Sequence, residues 1–415
     1  MRNPDVLVVG AGPVGMFAAL ALARAGVGVE IIEEQSRAAG HSYALGLHPG
    51  SVLLLDQLGV LERLLPHGQR IDAVVLRGED GQRRVPLDGL AGSRSFGLAV
   101  PQARLEQALA EALKSWHVKV HWDTRLSSLD AEPKAPTATV DRMGREGSGY
   151  GYAVTVSVVD RRQVLRPGFV IGADGHRSTV AARLGIEGEQ RRPPQSFATF
   201  EVQLGDAIAG NELLLLLGRH GVDAIWPLPD GWFRCTFELR DPRIVPPERF
   251  KDRAVWTMPA PDLAALLARL MAERAPWLPR PREIGWTAVT TFARQVAPSW
   301  GRGRTWLVGD AAHLASPLAA HSLNRGLREA ESLAASIAAI CGRGAGDDAL
   351  EAWAARSRAE WDWMLGVQAS SLDPWLAPYA EALLPALPAT GPALRELIER
   401  VGLVAAQERV ATLQH

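Results

Sequence analysis

Cysteine is nearly missing from this chain: Cys235 and Cys341 are its only two in 415 residues. They cannot build a disulfide framework, and they form neither a CxxC pair nor a Cys/His metal spacing, so the expectation is a reducing compartment, the cytoplasm, and no bound metal. An excess of one charge is missing too. Lys and Arg number 45 against 46 Asp and Glu, which removes the broad positive field that would draw nucleic acid or an anionic membrane. No apolar run reaches membrane-spanning length. The stretch from Val6 to Ala25 comes nearest and carries the small residues Ala21, Ala23 and Ala25 that a secretory leader needs. Three glycines and Pro13 interrupt it, and Arg2 is the only basic residue ahead of it. It therefore reads as folded structure, and the expected partners are small molecules.

What is present is the material of a globular enzyme, 47% hydrophobic and 22% charged, long enough for two or three cooperating domains. Val6 to Val9 reads as a buried strand, Gly10 to Gly15 as a tight turn, Met16 to Ala25 as a helix closed by Gly26, and Val27 to Ile32 as a second strand ending at Glu33. Helical periodicity follows in Pro49 to Leu65 and Pro101 to Trp116. Ile71 to Leu87 reads as a hairpin turning at Glu79-Asp80-Gly81. Ala131 to Gly151, rich in Pro, Gly and charge, is expected to be a mobile surface loop. Beyond Gly185, alternating stretches (Phe197 to Leu204, Leu213 to Leu217, Trp232 to Leu239) predict an antiparallel sheet. Helices are expected at Pro261 to Glu273, Leu323 to Ile340 and Asp347 to Ser371, and a helical tail after them. The Trp-rich helix bearing Trp353, Trp361 and Trp363 is expected to serve packing.

The first chemical signal is Gly10, Gly12 and Gly15 between strand and helix, with Glu33 ending the second strand. Gly10 permits the turn, Gly12 lets backbone NH groups approach a pyrophosphate, and Gly15 lets helix and strand pack closely. The helix start adds partial positive charge. Glu33 would accept from ribose hydroxyls and disfavour a 2′-phosphate. These residues alone do not separate FAD from NAD.

Two later motifs decide between them. Gly172-Ala173-Asp174-Gly175-His176-Arg177-Ser178 and Gly309-Asp310-Ala311-Ala312-His313, the latter followed by Pro317 and Asn324-Arg325-Gly326, resemble the second and third motifs of the class A flavoprotein monooxygenases, in the right order over residues 1–345. Taken alone, Asp174 is equally a turn acid bonding its own backbone and Asp310 a helix-start acid. The resemblance implies an α/β fold of the para-hydroxybenzoate hydroxylase kind: a Rossmann-type FAD-binding domain (1–70, 101–185 and 285–345), an inserted antiparallel-sheet substrate domain (71–100 and 186–284) and a helical C-terminal segment (346–415). It implies non-covalent FAD held by Gly10, Gly12, Gly15, Glu33, Gln102, Arg104, Asp174, Gly175, Gly309, Asp310, Pro317, Ser322, Leu323 and Asn324. Asp310 would accept from the ribityl chain, and NADPH or NADH would dock transiently near Asp174 and Arg177.

The chain also departs from that pattern. Tyr43 stands where the family commonly has Arg, Ala181 replaces another Arg, and Leu318-Ala319-Ala320-His321-Ser322 replaces a glycine-rich turn. Ser322 is expected to cap a helix starting near Leu323, and a protonated His321 to stabilise the reduced flavin, offsetting the missing Arg. Ala319 and Ala320 could instead crowd the flavin. Tyr43, His48, Arg234 and His321 are the candidates for acid and base chemistry, and His313 is expected to be structural. The expected activity is hydroxylation or epoxidation of an aromatic or polyketide-like molecule with O2, by a monomer or homodimer. The alternatives are a reductase or oxidase of the same fold, without oxygen insertion, or a non-catalytic flavin-binding or ligand-binding relative.

Overall fold

The computed structural model describes residues 3–36, 46–90, 92, 94–148, 154–205, 208–240, 255–256, 260–366, 369–371 and 373–405. Its organising element is a six-stranded sheet in the order 301–302, 305–307, 169–172, 6–9, 29–32, 120–121. Val6–Val9 lies in the middle, parallel to both Val29–Ile32 and Phe169–Gly172, and is buried on both faces as its unbroken β-branched and leucine run requires. Because all four ladders around it are parallel, the strands' C-terminal ends gather on one edge, with the turns after Val9, Ile32, Gly172 and Leu307. Ligands bind at that edge in open sheets of this kind.

A second, larger sheet is ordered 255–256, 283–296, 189–203, 232–239, 221–227, 212–218, 73–77, 82–86. It is antiparallel except where Glu212–Gly218 runs parallel to Ala73–Arg77. The strand Glu283–Val296, which the sequence places at the start of the third FAD-domain segment, pairs along nearly its whole length with Glu189–Gln203 in this sheet. One face carries Phe200, Phe233 and Phe237 and is covered by the helix Ala260–Arg274. Leu263, Leu266, Leu267, Leu270 and Met271 recur there at the spacing of one helical face. The opposite face, with Phe197, Leu213, Leu215, Ala224 and Trp226, packs into the main core around the six-stranded sheet.

Ala131 to Gly151 is not a loop as far as it is described. Thr137–Ser148 is a twelve-residue strand paired with Thr124–Asp130 and Val154–Leu165. Its Thr-Ala-Thr-Val start alternates correctly for a half-buried strand, and the buried Asp141 receives two hydrogen bonds from Arg162, at 2.7 and 3.0 Å. The local density of glycine and charge concealed that pairing. The Trp-rich helix ends at Gly366, and Ala369–Ser371 turns into a short strand on Leu403–Ala405 rather than continuing helically. Trp353 and Trp361 are buried in the main core, the packing role expected for them.

Candidate functional site

The glycines of the first turn divide by function. Gly10 has φ +101°, and a Cβ there would lie 2.4 Å from the Ala173 carbonyl oxygen; at Gly15 it would lie 2.1 Å from that of Gly10. Both positions are closed by backbone. Gly12 is open: among the described residues, a Cβ there meets nothing within 4 Å. It precedes the helix Pro13–Arg24, whose N-terminus no side chain caps among the described residues and whose first residue, Pro13, has no NH to leave orphaned. The remaining free NH groups and the helix dipole thus face an open space suited to an anion. Beside them the Glu33 carboxylate is fixed by two backbone donors, Ala11 N to Oε2 at 2.8 Å and Gln35 N to Oε1 at 2.9 Å. Each oxygen keeps a lone pair for a hydroxyl.

Two clefts of about 460 and 220 Å³ meet at this turn and share Gly12, Glu34, Gln35, Ala173, Asp174, Gly175 and Arg177. The smaller reaches Gly10, Glu33, Thr124 and Arg125; the larger runs past Gln102 and Asp310 to Phe292, Pro317, Ser322 and Leu323. Together they make one elongated groove, polar and glycine-walled at one end and apolar at the other. That is the shape and polarity of a dinucleotide carrying a flat ring. Of the residues expected to hold FAD, Gly10, Gly12, Glu33, Gln102, Asp174, Gly175, Asp310, Pro317, Ser322 and Leu323 line it. Gly15 and Gly309 pack behind the wall, and Gly309 (φ +63°) would place a Cβ 3.2 Å from Val14.

The side chains of several expected site residues point elsewhere. Asp174 lines the groove, yet its carboxylate turns back to accept from Ser178 Oγ at 2.6 Å and Val180 N at 3.1 Å, and so anchors the helix Thr179–Leu184. Burial pushes its carboxyl above the ordinary range against those bonds. Arg104 is exposed, donates to Gln107 and does not line the groove; Gln102, two residues earlier on the same helix, does. Asn324 is wholly buried, and both polar atoms of its side chain bond to backbone. Its Oδ1 accepts from His48 N at 2.7 Å, and its Nδ2 donates to the Gly46 and Ala320 carbonyls at 2.7 and 2.9 Å. It fastens the long helix His321–Arg343 to the segment around Gly46 and His48 instead of touching a ligand.

The catalytic candidates fare similarly. His48 is buried, with Nε2 2.5 Å from the Ala319 carbonyl oxygen, and burial pulls its pKa down to about 3 despite that bond. His321 is buried edge-on against His48, their ring centroids 5.2 Å apart. Burial first, then the charges of His48 and Arg325, drive its pKa well below the ordinary value. The expected protonated His321 is therefore corrected to a neutral, inward-facing ring. Ser322 does not cap the long helix either. That helix begins one residue earlier, and Ser322 Oγ instead accepts from Ala315 N at 3.2 Å across the preceding turn. Arg234 sits in the large sheet, buried in an ion pair with Glu201 and 5.2 Å from the Trp286 ring, away from the groove lining. Tyr43 lies outside the described residues.

The glycine-poor turn has a measurable cost. Ala320, the residue before the long helix, lines the groove with φ +53° and ψ 36°, a left-handed conformation that an alanine Cβ disfavours. Ala320→Gly removes a penalty of about 1–2 kcal/mol but raises unfolded-chain entropy by about 0.4–1 kcal/mol. A net gain of about 0.5–1 kcal/mol is expected in urea unfolding; a loss of stability would contradict this account of the turn.

Sequence reasoning missed Glu34, Gln35, Arg125, Phe292 and Ser316, which also line the groove. Glu34 and Gln35 could have been found by extending the second strand's end. Arg125 and Phe292 arrive from remote strands and left no local signal.

The FAD binding domain family matches residues 3–364. The 6-methylpretetramide 4-monooxygenase of Streptomyces rimosus is 29% identical over 359 residues, 85% of this chain and 59% of that protein. The rifampicin monooxygenase of Streptomyces venezuelae is 30% identical over 341 residues, 81% of this chain and 64% of that protein. The chain thus spans about three fifths of the length of these curated relatives. The crystal structure of p-nitrophenol 4-monooxygenase from Pseudomonas putida DLL-E4 superposes with a TM-score of 0.71 at 20% identity, covering 97% of this chain and 99% of that one. At that identity the likeness carries the fold alone, that of the aromatic hydroxylases.

Proposed function

The chain belongs to the FAD-binding family of class A flavoprotein hydroxylases, and on that premise we propose that it is a monooxygenase. It takes electrons from NADPH or NADH and inserts one atom of O2 into an aromatic or polyketide-like small molecule. The observation that carries this reading is the single groove running from the open helix start at Gly12, past Asp310, to the apolar end at Phe292, Pro317 and Leu323. Bound there, FAD supplies the redox chemistry, passing electrons from the nicotinamide cofactor to oxygen.

The protein's own residues bind, orient and keep out water. The NH groups after Gly12 would hold the pyrophosphate and Glu33 the adenosine ribose, while Asp310 would accept from the ribityl hydroxyls. At the far end, the start of the helix His321–Arg343 offers its dipole to negative charge, with no histidine cation needed. Phe292, Leu314, Ala315, Pro317 and Leu323 wall that end with apolar surface, which excludes water from a reactive site. Arg177 lines both parts of the groove and offers a cation to the phosphates of a transient nicotinamide cofactor. The names of the relatives, acting on a pretetramide and on rifampicin, support polycyclic or aromatic substrates.

A screen of phenols and polyketides tests the reading. The right substrate is expected to stimulate NADPH or NADH oxidation in air, and under nitrogen the reaction should stop after one flavin equivalent. Sustained turnover at the same rate without oxygen would favour a reductase of this fold.

A further inference from the structure

We infer that Glu329 is a positioning residue of the flavin site, stapling shut the turn that presents Asp310. This rests on the assignment of the groove to FAD. Glu329 lies on the long helix behind the groove wall and is 5% exposed. Its Oε2 lies 2.7 Å from His313 Nε2 and accepts from Gly309 N at 3.4 Å, while its Oε1 accepts from Trp361 Nε1 at 2.8 Å. Gly309 and His313 flank Asp310 on either side. One carboxylate thus ties down both ends of the segment 309–313, whose second residue, Asp310, lines the groove.

The surroundings hold that carboxylate in place. The His313 ring stacks on Trp361 with centroids 4.0 Å apart and planes 27° from parallel, and the Arg325 guanidinium lies 4.8 Å from the Trp361 ring centre. Burial works against the charge on Glu329, but His313, Arg325 and the Trp361 bond outweigh it and keep the carboxyl below its ordinary range. An ionised carboxylate is the group this geometry requires, because donors reach it at both oxygens. A carboxamide has one acceptor oxygen. In Glu329→Gln that oxygen can serve Trp361 and the amide can face a His313 of the other tautomer, so packing survives, but the Gly309 NH loses its acceptor.

Purified Glu329→Gln, loaded with FAD by titration, is expected to show a dissociation constant at least tenfold above that of the unaltered protein. The flavin midpoint potential should move positive, because a buried anion near the site is gone. Glu360→Gln, which alters the exposed partner of the buried Arg325 on the neighbouring helix Asp348–Gly366 and leaves the three bonds of Glu329 in place, should bind FAD within twofold of normal. A lowered melting temperature with FAD affinity and potential unchanged would overturn the inference, leaving Glu329 a packing group. If Glu329→Gln does not fold, Trp361→Phe decides: it keeps the stacking and removes one donor. A severalfold weaker FAD complex then supports the staple, and normal binding overturns it. Failure of the unaltered protein to bind FAD would instead overturn the assignment of the groove on which the staple rests.

Discussion

Gly12→Val is expected to give a folded protein that emerges from purification without its flavin. The position tolerates a side chain from the fold's point of view: φ is −68° and ψ 175°, ordinary for an L residue, and a Cβ has no neighbour within 4 Å among the described residues. The same openness makes the substitution fatal to binding, since the two methyls stand where the helix-start NH groups meet the pyrophosphate. A weakening on the order of 100-fold or more, about 2.7 kcal/mol, follows from losing that approach. Gly15→Ala makes the contrast, because its Cβ would sit 2.1 Å from the Gly10 carbonyl oxygen and the turn itself must break. Absorbance gives the flavin-to-protein ratio and circular dichroism the melting temperature. Stoichiometric flavin in folded Gly12→Val would mean that the groove is not the pyrophosphate site.

Acid should destabilise the protein well above the pH at which carboxylates titrate. His48 and His321 stay neutral in the folded state because burial depresses both, whereas in the unfolded chain they accept protons near pH 6.5. Their contribution is therefore complete above pH 6.5 and is lost as pH falls from there toward the folded pKa, about 3 for His48. Between pH 7 and 5.5 each histidine costs about 1 kcal/mol. Asp223 works in the opposite sense: burial, against the pull of Arg274, raises it to about 6, so it gains its proton in the folded state first and returns part of the loss. The net expectation is a fall of about 1–2 kcal/mol in urea stability over that interval. Substituting His321 by Leu removes one of the two histidines and should cut the fall by about 1 kcal/mol. An unchanged pH dependence in that variant would show that His321 is already charged or open to solvent.

The nucleotide-binding half was legible in the sequence because its requirements are local. Gly10, Gly12 and Gly15 need their spacing only, and the strand before them and the helix after them announce where they lie. Asp174, Asn324 and His321 were harder because their motif positions do not reveal side-chain direction. The partners of Asn324 are Gly46 and His48, nearly 280 residues away, and those of His321 are His48 and Arg325. Ser322 misled by two residues: a serine ahead of an apolar run is the usual cap, but the left-handed turn at Ala320 starts the helix earlier and turns Ser322 to another task. Glu329 gave no signal at all, being one more charge on an amphipathic helix until the fold brings Gly309, His313 and Trp361 around it.

The central claim is oxygen insertion, and the origin of the oxygen atom tests it most directly. With a substrate found in the screen, purified enzyme, FAD and NADPH are incubated under isotopically labelled oxygen gas and the product is weighed by mass spectrometry. The account predicts one labelled atom per product molecule and none when the label is supplied in water. An unlabelled product, or one labelled only from water, would contradict it and leave the groove to a flavin reductase or oxidase.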